Sequence, residues 1–340
     1  MSIGRSELQD AARQAFGVTP LAADPAHIWK QLVEMGWLGM CVPERLGGLG
    51  LGREAQAVIH FELGRSLGPG SVITQLAAID ALVTCQHTGW LDRAIDGELI
   101  TASMQLETAD EESGMISGRL NAVPDADRAE AVIVAASDRM ILLPMSCAQI
   151  RSVEAPMWDK SRRLFTLTLD LVPMEAGVTL GRGEDAFPMW DDFNAHILRA
   201  IAGDSLGGAG AAIDMTVDYL KVRSQFDRPI AMFQALKHRC ADLKTALAAA
   251  EAVFWDDAAG QSTSPVLDVT RIGALKAHAA RTYQEIVEEA VQLHGGIALT
   301  AEHQCHRFLK RAMLNGTLGG SADTWEEAFG RRMLAALTSP

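Results

Sequence analysis

The fold is decided by one short stretch in the C-terminal part of the chain, Arg223-Ser-Gln-Phe-Asp-Arg-Pro-Ile230. It is followed closely by Phe233-Gln234 and, about seventy residues after Arg223, by Gln292-Leu-His-Gly-Gly296. Long apolar patterns with helical spacing lie beside each cluster. Neither cluster contains enough polar groups to form a binding site alone, so we expect the two clusters to meet in space.

Three apolar stripes surround these clusters. In each stripe, apolar residues recur every three or four positions, which predicts an amphipathic helix. Such helices bury their apolar faces only against one another, so the stripes predict a helical bundle. A polar segment, Gly260–Pro265, is expected to link the second stripe to the third. The stripes consist of Ala209, Ile213, Val217 and Leu220; of Leu236, Cys240, Leu243, Leu247, Ala250 and Phe254; and of Ile272, Leu275, Ala279, Tyr283, Ile286, Ala290 and Leu293.

The rest of the chain divides into two further units. Helical spacing also dominates the N-terminal part, up to the break at Gly68-Pro69-Gly70 and beyond it to about Gly97. In the middle, apolar and polar residues alternate from Phe165 to Leu171, as in a half-buried strand. Ala131–Ala135 and Met140–Leu143 have the composition of buried strands.

The expected fold is therefore a multi-domain α+β protein. We expect an N-terminal helical domain over residues 1–98, a small middle β domain over 99–192 and a C-terminal four-helix bundle over 193–340. The length of 340 residues is ample for this division.

Composition excludes several classes of function. The net charge of −13 argues against nucleic acid or an anionic membrane as the main partner, because both require a basic face. No apolar run reaches the ~20 residues of a membrane span, and the N-terminus lacks the apolar core of a signal peptide. The 5 cysteines have no paired spacing, which indicates reduced thiols. We expect a cytoplasmic protein.

Two other patterns invite a functional interpretation and are weak. The glycine-rich segment Pro43–Gly52 does not have the G-x-G-x-x-G spacing of a dinucleotide-binding turn, so we interpret it as a structural loop. His303 and His306 stand three residues apart without the spacing of a metalloprotease or zinc motif, so no metal site is expected. His196 is interpreted as a satisfied helix histidine rather than a catalyst.

The two polar clusters resemble the flavin-binding signatures of the acyl-CoA dehydrogenase family. That resemblance implies FAD as cofactor and an N-terminal helical, middle β and C-terminal bundle architecture, which matches nearly the whole chain. In the family these clusters hold the ADP half of an FAD whose flavin ring lies in the neighbouring subunit. The residues that would make these contacts are Arg223, Gln225, Phe226, Gln234, Gln292, Gly295 and Gly296.

Charge and shape agree with that assignment. A guanidinium at a helix end can hold a pyrophosphate, and a glycine pair lets the backbone approach a cofactor closely. Taken singly, Arg223 could equally be a solvated helix-terminal residue and Phe226 an ordinary core residue. Asp227 departs from the family, which usually has Gly there. Its carboxylate would be unfavourable beside a pyrophosphate unless it points at Arg228.

The catalytic half of the site looks lost. Proton abstraction from the α-carbon of a thioester requires a carboxylate base. The resemblance places the family's two alternative base positions at Gly319 and Ile197, neither of which can accept a proton. The segments that would grip the flavin ring, Gln105–Gly114 and Gly118–Asp125, lack the family signatures. Asp323, Glu326 and Glu327 lie too far along a helix to replace the base and are interpreted as a solvated helix start.

Three functions remain open on the sequence. The favoured one resembles the short, base-lacking subunit of heteromeric steroid side-chain acyl-CoA dehydrogenases, which implies a homologous catalytic partner, a heterotetramer, an acyl-CoA substrate and an electron-transfer flavoprotein as acceptor. A flavin monooxygenase of the same fold would need no α-proton base, although it would need its own flavin ring. A non-catalytic scaffold or acyl-CoA-binding protein would need no FAD at all.

Overall fold

The structure, a computed structural model, describes residues 4–17, 25–260 and 269–338. Most of the expected Gly260–Pro265 linker lies outside the described residues. In the described N-terminal part, helices pack around a shared apolar core that includes Leu32, Leu38 and Leu76. The segment Pro43–Gly52 forms short turns rather than a nucleotide-binding turn. The helices are α1 (Arg5–Phe16), α2 (Pro25–Glu34), α3 (Arg53–Ser66), α4 (Ser71–Thr84) and α5 (Thr88–Ile95).

A β domain follows these helices. Its strands are β1 (Ile100–Ala102), β2 (Thr108–Glu112), β3 (Met115–Pro124), β4 (Ala131–Ala136), β5 (Arg139–Pro144), β6 (Ile150–Glu154), β7 (Leu164–Pro173) and β8 (Val178–Arg182). They form one sheet in the order β6-β7-β3-β2-β4-β5-β8, and β1 pairs with β4 in parallel. β4 and β5 are almost wholly buried, as their continuous apolar runs predict. The alternation in β7 matches the alternating burial of its first half.

The C-terminal part is helical. Its elements are α6 (Ala186–Val222), the short strands β9 (Ser224–Gln225) and β10 (Arg228–Pro229), α7 (Gln234–Ala258), α8 (Val269–His294), α9 (Cys305–Thr317) and α10 (Ala322–Thr338). α6 and α8 pack against each other, with Tyr283 fully buried between them at Gly208. No helix of the described ranges is long and apolar enough to cross a membrane.

One boundary differs from the sequence-based expectation. α6 begins at Ala186, before the expected start of the bundle at residue 193. Pro188 lies in its first turn, where the missing amide proton costs nothing, so the proline is compatible with this early start of the helix. The domain limits themselves stay predictions.

A buried ionic network joins the three parts of the chain. Arg311 of α9 is fully buried, and its Nε donates to Asp159 Oδ2 at 2.7 Å. Its Nη1 donates to Asp204 of α6 at 3.0 Å, and its Nη2 donates to the carbonyl of Gly68 at 3.1 Å. Arg162 also donates to Asp204, at 2.7 Å. These contacts fix the β6–β7 connection and the start of α9 against α6.

Candidate functional site

The first polar cluster is a tight hairpin at the end of α6. Gln225 pairs with Arg228 in the β9–β10 ladder, so Phe226 and Asp227 alone form the turn. Both have positive φ, 55° and 60°. This is the pattern of a type I′ turn, in which both central residues are left-handed and Asp is among the few tolerated non-glycine residues. Asp227 therefore occupies the glycine position because it can adopt the required backbone.

The expected partner of Asp227 is engaged elsewhere. The guanidinium of Arg228 lies over the ring of Phe233, 4.1 Å from its centroid. Phe226 packs edge-on against the same ring at 5.9 Å. Within the described residues no ion pair joins Arg228 to Asp227. The arrangement in which Asp227 would suit a nearby pyrophosphate, with its carboxylate pointing at Arg228, is therefore not found among the described residues, where the guanidinium makes a cation–π contact with Phe233.

The helix ends that carry the two clusters lie against each other. Tyr219, in the last turn of α6, stacks on His294, the last residue of α8, with ring centroids 4.5 Å apart. The Tyr219 hydroxyl donates to the carbonyl of His294 at 3.3 Å. Arg223 follows Tyr219 by one helical turn, and Gly295 follows His294 directly. This contact therefore brings the ends of α6 and α8 together.

All of the candidate ADP-binding residues are exposed. Phe226 is 84% exposed, and the only hydrogen bond of the Gln225 side chain within the described residues is to its neighbour Ser224. Arg223 forms no ion pair with any described residue. The exposed members are Arg223, Gln225, Phe226, Gln234, Gln292, Gly295 and Gly296. We call this set the ADP cluster. It is an open surface with a free cation rather than a closed pocket.

The glycines of the ADP cluster suit close approach of a ligand. Gly295 has φ of 68°, which a residue with a Cβ adopts only at a cost. A Cβ placed on Gly296 would meet nothing within 4 Å, so the space over this backbone is open. The ADP half of FAD therefore fits the residues present.

The position expected for the base is closed by packing. Gly319 has φ of 66°, and a Cβ on it would lie 2.8 Å from Leu198 Cδ2. Its carbonyl accepts from Trp325 Nε1 at 2.6 Å. Lys276 Nζ donates to the next carbonyl, Gly320, at 2.7 Å. Gly319 thus sits in an apolar corner, at a positive φ, where any side chain would require Leu198 to move.

The second base position and the segment expected to face the flavin ring are also engaged in contacts within the chain. Ile197 is fully buried in the main core. Glu107, in the segment expected to face the flavin ring, accepts from Ser103 Oγ at 3.0 Å and from Asn121 Nδ2 at 2.8 Å. These two bonds hold the Glu107 carboxylate within the β domain.

The acidic residues after Gly319 are helix surface, as expected. Asp323 is 96% exposed at its side chain, and Glu326 pairs with Arg281 at 2.9 Å. Both lie in the first turns of α10, where carboxylates favour the helix N-terminus.

Sequence reasoning missed a buried histidine pair. His196 Nδ1 lies 2.9 Å from Asp80 Oδ2, and its Nε2 lies 3.3 Å from Nε2 of His60. Burial lowers the pKa of His60 well below its usual value. His196 is satisfied, as expected, and it lines a cavity of about 280 Å³ between α3, α4 and α6. The only signal in the sequence is the position of His60 and His196 on the apolar faces of their helices.

Comparison with known proteins follows the same division. Residues 6–97 match the family model described as the acyl-CoA dehydrogenase N-terminal domain, and residues 199–334 match that of its C-terminal domain. The chain is 32% identical over 304 residues to acyl-CoA dehydrogenase IpdE2 of Mycolicibacterium smegmatis, covering 89% of this chain and 86% of that protein.

Solved structures with low identity share the fold. A variant of the Tcur3481-Tcur3483 steroid ACAD superposes with a TM-score of 0.85 at 24% identity, covering 98% of this chain and 99% of that one. The ChsE4-ChsE5 complex of Mycobacterium tuberculosis gives a TM-score of 0.83 at 22% identity, covering 100% and 99%.

Proposed function

This chain belongs to the acyl-CoA dehydrogenase family, and on that premise we propose that it is one subunit of a heteromeric, FAD-dependent acyl-CoA dehydrogenase. It contributes the ADP cluster to an FAD whose ring lies in a homologous partner subunit. The partner supplies the catalytic carboxylate. The assembly removes hydrogens from the α and β carbons of an acyl-CoA thioester, and this chain alone is inactive.

One observation carries the proposal: the ADP cluster is open while the base position is closed. Arg223 is exposed and has no counter-charge among the described residues, which suits a pyrophosphate brought by another chain. Gly319, by contrast, is packed against Leu198. A chain that carried out the dehydrogenation itself would need an acidic side chain at one of the two base positions.

The missing base requires a second chain for the chemistry. The α-proton of a thioester is too weakly acidic to leave without a positioned carboxylate. FAD, when bound, supplies the hydride acceptor. The residues of this chain bind and orient the nucleotide end of that cofactor, and nothing at Gly319 or Ile197 accepts a proton.

The substrate class that we propose is a bulky, steroid-derived acyl-CoA. Support comes from the fold shared with the steroid ACAD and with the ChsE4-ChsE5 complex, both of which are two-component proteins by name. A heterotetramer of two chains of each kind and an electron-transfer flavoprotein as electron acceptor complete the proposal.

Flavin stoichiometry tests the proposal. The chain would be purified alone and after co-expression with a homologous partner that retains the base, and bound FAD would be measured by absorbance. We expect little flavin on the chain alone and one FAD per two chains in the complex. One tightly bound FAD per chain, with turnover in the chain alone, would reject the proposal.

A pair of variants tests whether the ADP cluster binds FAD. Arg223→Ala in the complex should release FAD, because its guanidinium is the free cation of the cluster. Lys221→Ala is the matched control, since Lys221 is exposed two residues away and pairs with Asp218 at 3.0 Å. No flavin loss in Arg223→Ala would favour a scaffold without FAD. Oxygen uptake by the isolated chain with reduced flavin would favour a monooxygenase.

A further inference from the structure

A small basic pocket opens between the β6–β7 connection and the start of α9. Its volume is about 250 Å³. Lys160 comes from the connection, and Arg307 and Lys310 come from the first turns of α9. None of these three cations forms an ion pair with any described residue. In a chain with a net charge of −13, three unpaired cations around one pocket are unexpected.

The one carboxylate at this pocket is already neutralised. Asp159 is buried, and its Oδ2 accepts from Arg311 Nε at 2.7 Å. Its Oδ1 accepts from the amide of Ser161 at 2.9 Å. Although burial alone would raise it, the pKa of Asp159 is lowered by the charge of Arg311 and by the hydrogen bonds of Ser161. An anion in the pocket therefore meets a net positive wall.

An exposed indole forms another wall. Trp158 also lines the pocket and is 78% exposed, which is unusual for so large an apolar side chain. The next residue, Asp159, is held from beneath by the buried Arg311. The backbone next to Trp158 is thus anchored, and its indole is largely open to solvent. An exposed indole can serve as a stacking platform for a base.

The start of α9 adds to the positive field. His306 and Lys310 are one helical turn apart and face the same pocket. α9 has 13 residues, and the positive end of its dipole lies here. His306 Nδ1 is buried and has no hydrogen-bond partner among the described residues.

We propose that this basic pocket binds a phosphorylated nucleoside. The phosphate lies on Lys160, Arg307 and Lys310, and the base stacks on Trp158. Phosphate alone would leave the indole uncovered, and an uncharged aromatic molecule would leave the three cations unpaired. The pocket shares no residue with the ADP cluster, and the proposal does not depend on the heteromeric function. The nucleoside could be free, or it could be the 3′-phosphorylated nucleotide end of a CoA thioester.

Calorimetric titration of the purified full chain with adenosine 3′,5′-bisphosphate, 5′-AMP and inorganic phosphate tests the proposal. We expect both nucleotides to bind more tightly than phosphate, with affinity falling as salt is raised. Preference for the bisphosphate over 5′-AMP would identify the CoA end as the source, and equal binding would identify a free nucleotide. Trp158→Leu should weaken nucleotide binding at least about five-fold, as loss of base stacking does. Lys310→Glu should weaken it at least about ten-fold.

Two controls separate this pocket from other sites. Lys30→Glu reverses an exposed charge on α2 and should leave binding unchanged. Arg223→Ala should also leave it unchanged, whatever that variant does to flavin. Thermal unfolding of each variant checks that it folds. Absence of saturable nucleotide binding, insensitivity to Trp158→Leu and Lys310→Glu, or loss of binding in Arg223→Ala would each overturn the proposal.

Discussion

Arg311 and Asp204 form an ion pair 3.0 Å apart, with side chains that are 0% and 2% exposed. The same guanidinium reaches Asp159 in the β domain and the carbonyl of Gly68 in the N-terminal helices. A single side chain thus connects all three parts of the fold. Asp204 is shared with Arg162, so the network balances its charges through several contacts at once.

Removal of Arg311 should be severely destabilising. Arg311→Met leaves Asp159 buried without its counter-charge and leaves Asp204 paired with Arg162 alone, and loss of a buried partner costs about 3–5 kcal/mol in comparable sites. Urea unfolding followed by circular dichroism measures the free energy of unfolding. Arg281→Met, which removes an exposed pair with Glu326, is the control and should cost at most about 1 kcal/mol. Equal effects of the two variants would contradict the role assigned to the network.

Substitution at Gly319 should destabilise the fold rather than restore catalysis. Gly319→Ala forces a Cβ to 2.8 Å from Leu198 at a positive φ, and we expect a cost of about 1–3 kcal/mol. Gly316→Ala is the matched control, because a Cβ there meets nothing within 4 Å and alanine favours a helix. Gly319→Glu should likewise give no dehydrogenation by the chain alone. Dehydrogenase activity of Gly319→Glu would show that the space around residue 319 can hold a functional carboxylate.

Lys276 should make stability rise with pH. Burial lowers its pKa to about 8 from 10.5, so the unfolded chain binds more protons between those values. The free energy of unfolding should therefore increase from pH 8 to 10.5 by on the order of 3 kcal/mol from this group. Lys276→Met should lack that increase when both proteins are unfolded in urea across the range. Parallel pH profiles for the two proteins would refute the assignment.

The turn at Asp227 should tolerate glycine and reject a branched residue. Asp227→Gly keeps the positive φ at no steric cost and should change stability by a few tenths of a kcal/mol. Asp227→Val must adopt φ near 60°, which costs about 1–2 kcal/mol. FAD retention in the co-purified complex is the second measurement. Loss of flavin in Asp227→Val with retention in Asp227→Gly would show that cofactor binding depends on the backbone conformation of the turn. Equal retention in both variants would show that it does not.

Much of the fold was visible in the sequence because it depends on local periodicity. The apolar runs of β4 and β5 and the stripes of α6 and α8 are confirmed as strands and helices. The parallel pairing of β1 with β4 was not predictable, since it depends on contacts across the sheet. The same holds for the ionic network, because charged residues such as Asp204 and Arg311 usually lie at the surface.

The candidate site was predictable to a different extent. The contact of Tyr219 with His294 brings together the ends of α6 and α8, in agreement with the expectation that the two polar clusters meet. The reason for Asp227 was hidden, since a positive φ does not appear in residue spacing. The basic pocket was hidden for another reason. Trp158 and Lys310 lie far apart in the sequence, and nothing local relates them. The roles of the ADP cluster residues stay predictions.

The packing at Gly319 has a consequence for how such a chain can change over generations. A glutamate introduced at this position would require Leu198 to move and would hold a side chain at a positive φ, so the substitution would be penalised before any gain in function. A glutamate at residue 319 would therefore be favoured only together with a compensating change at a residue that packs against it.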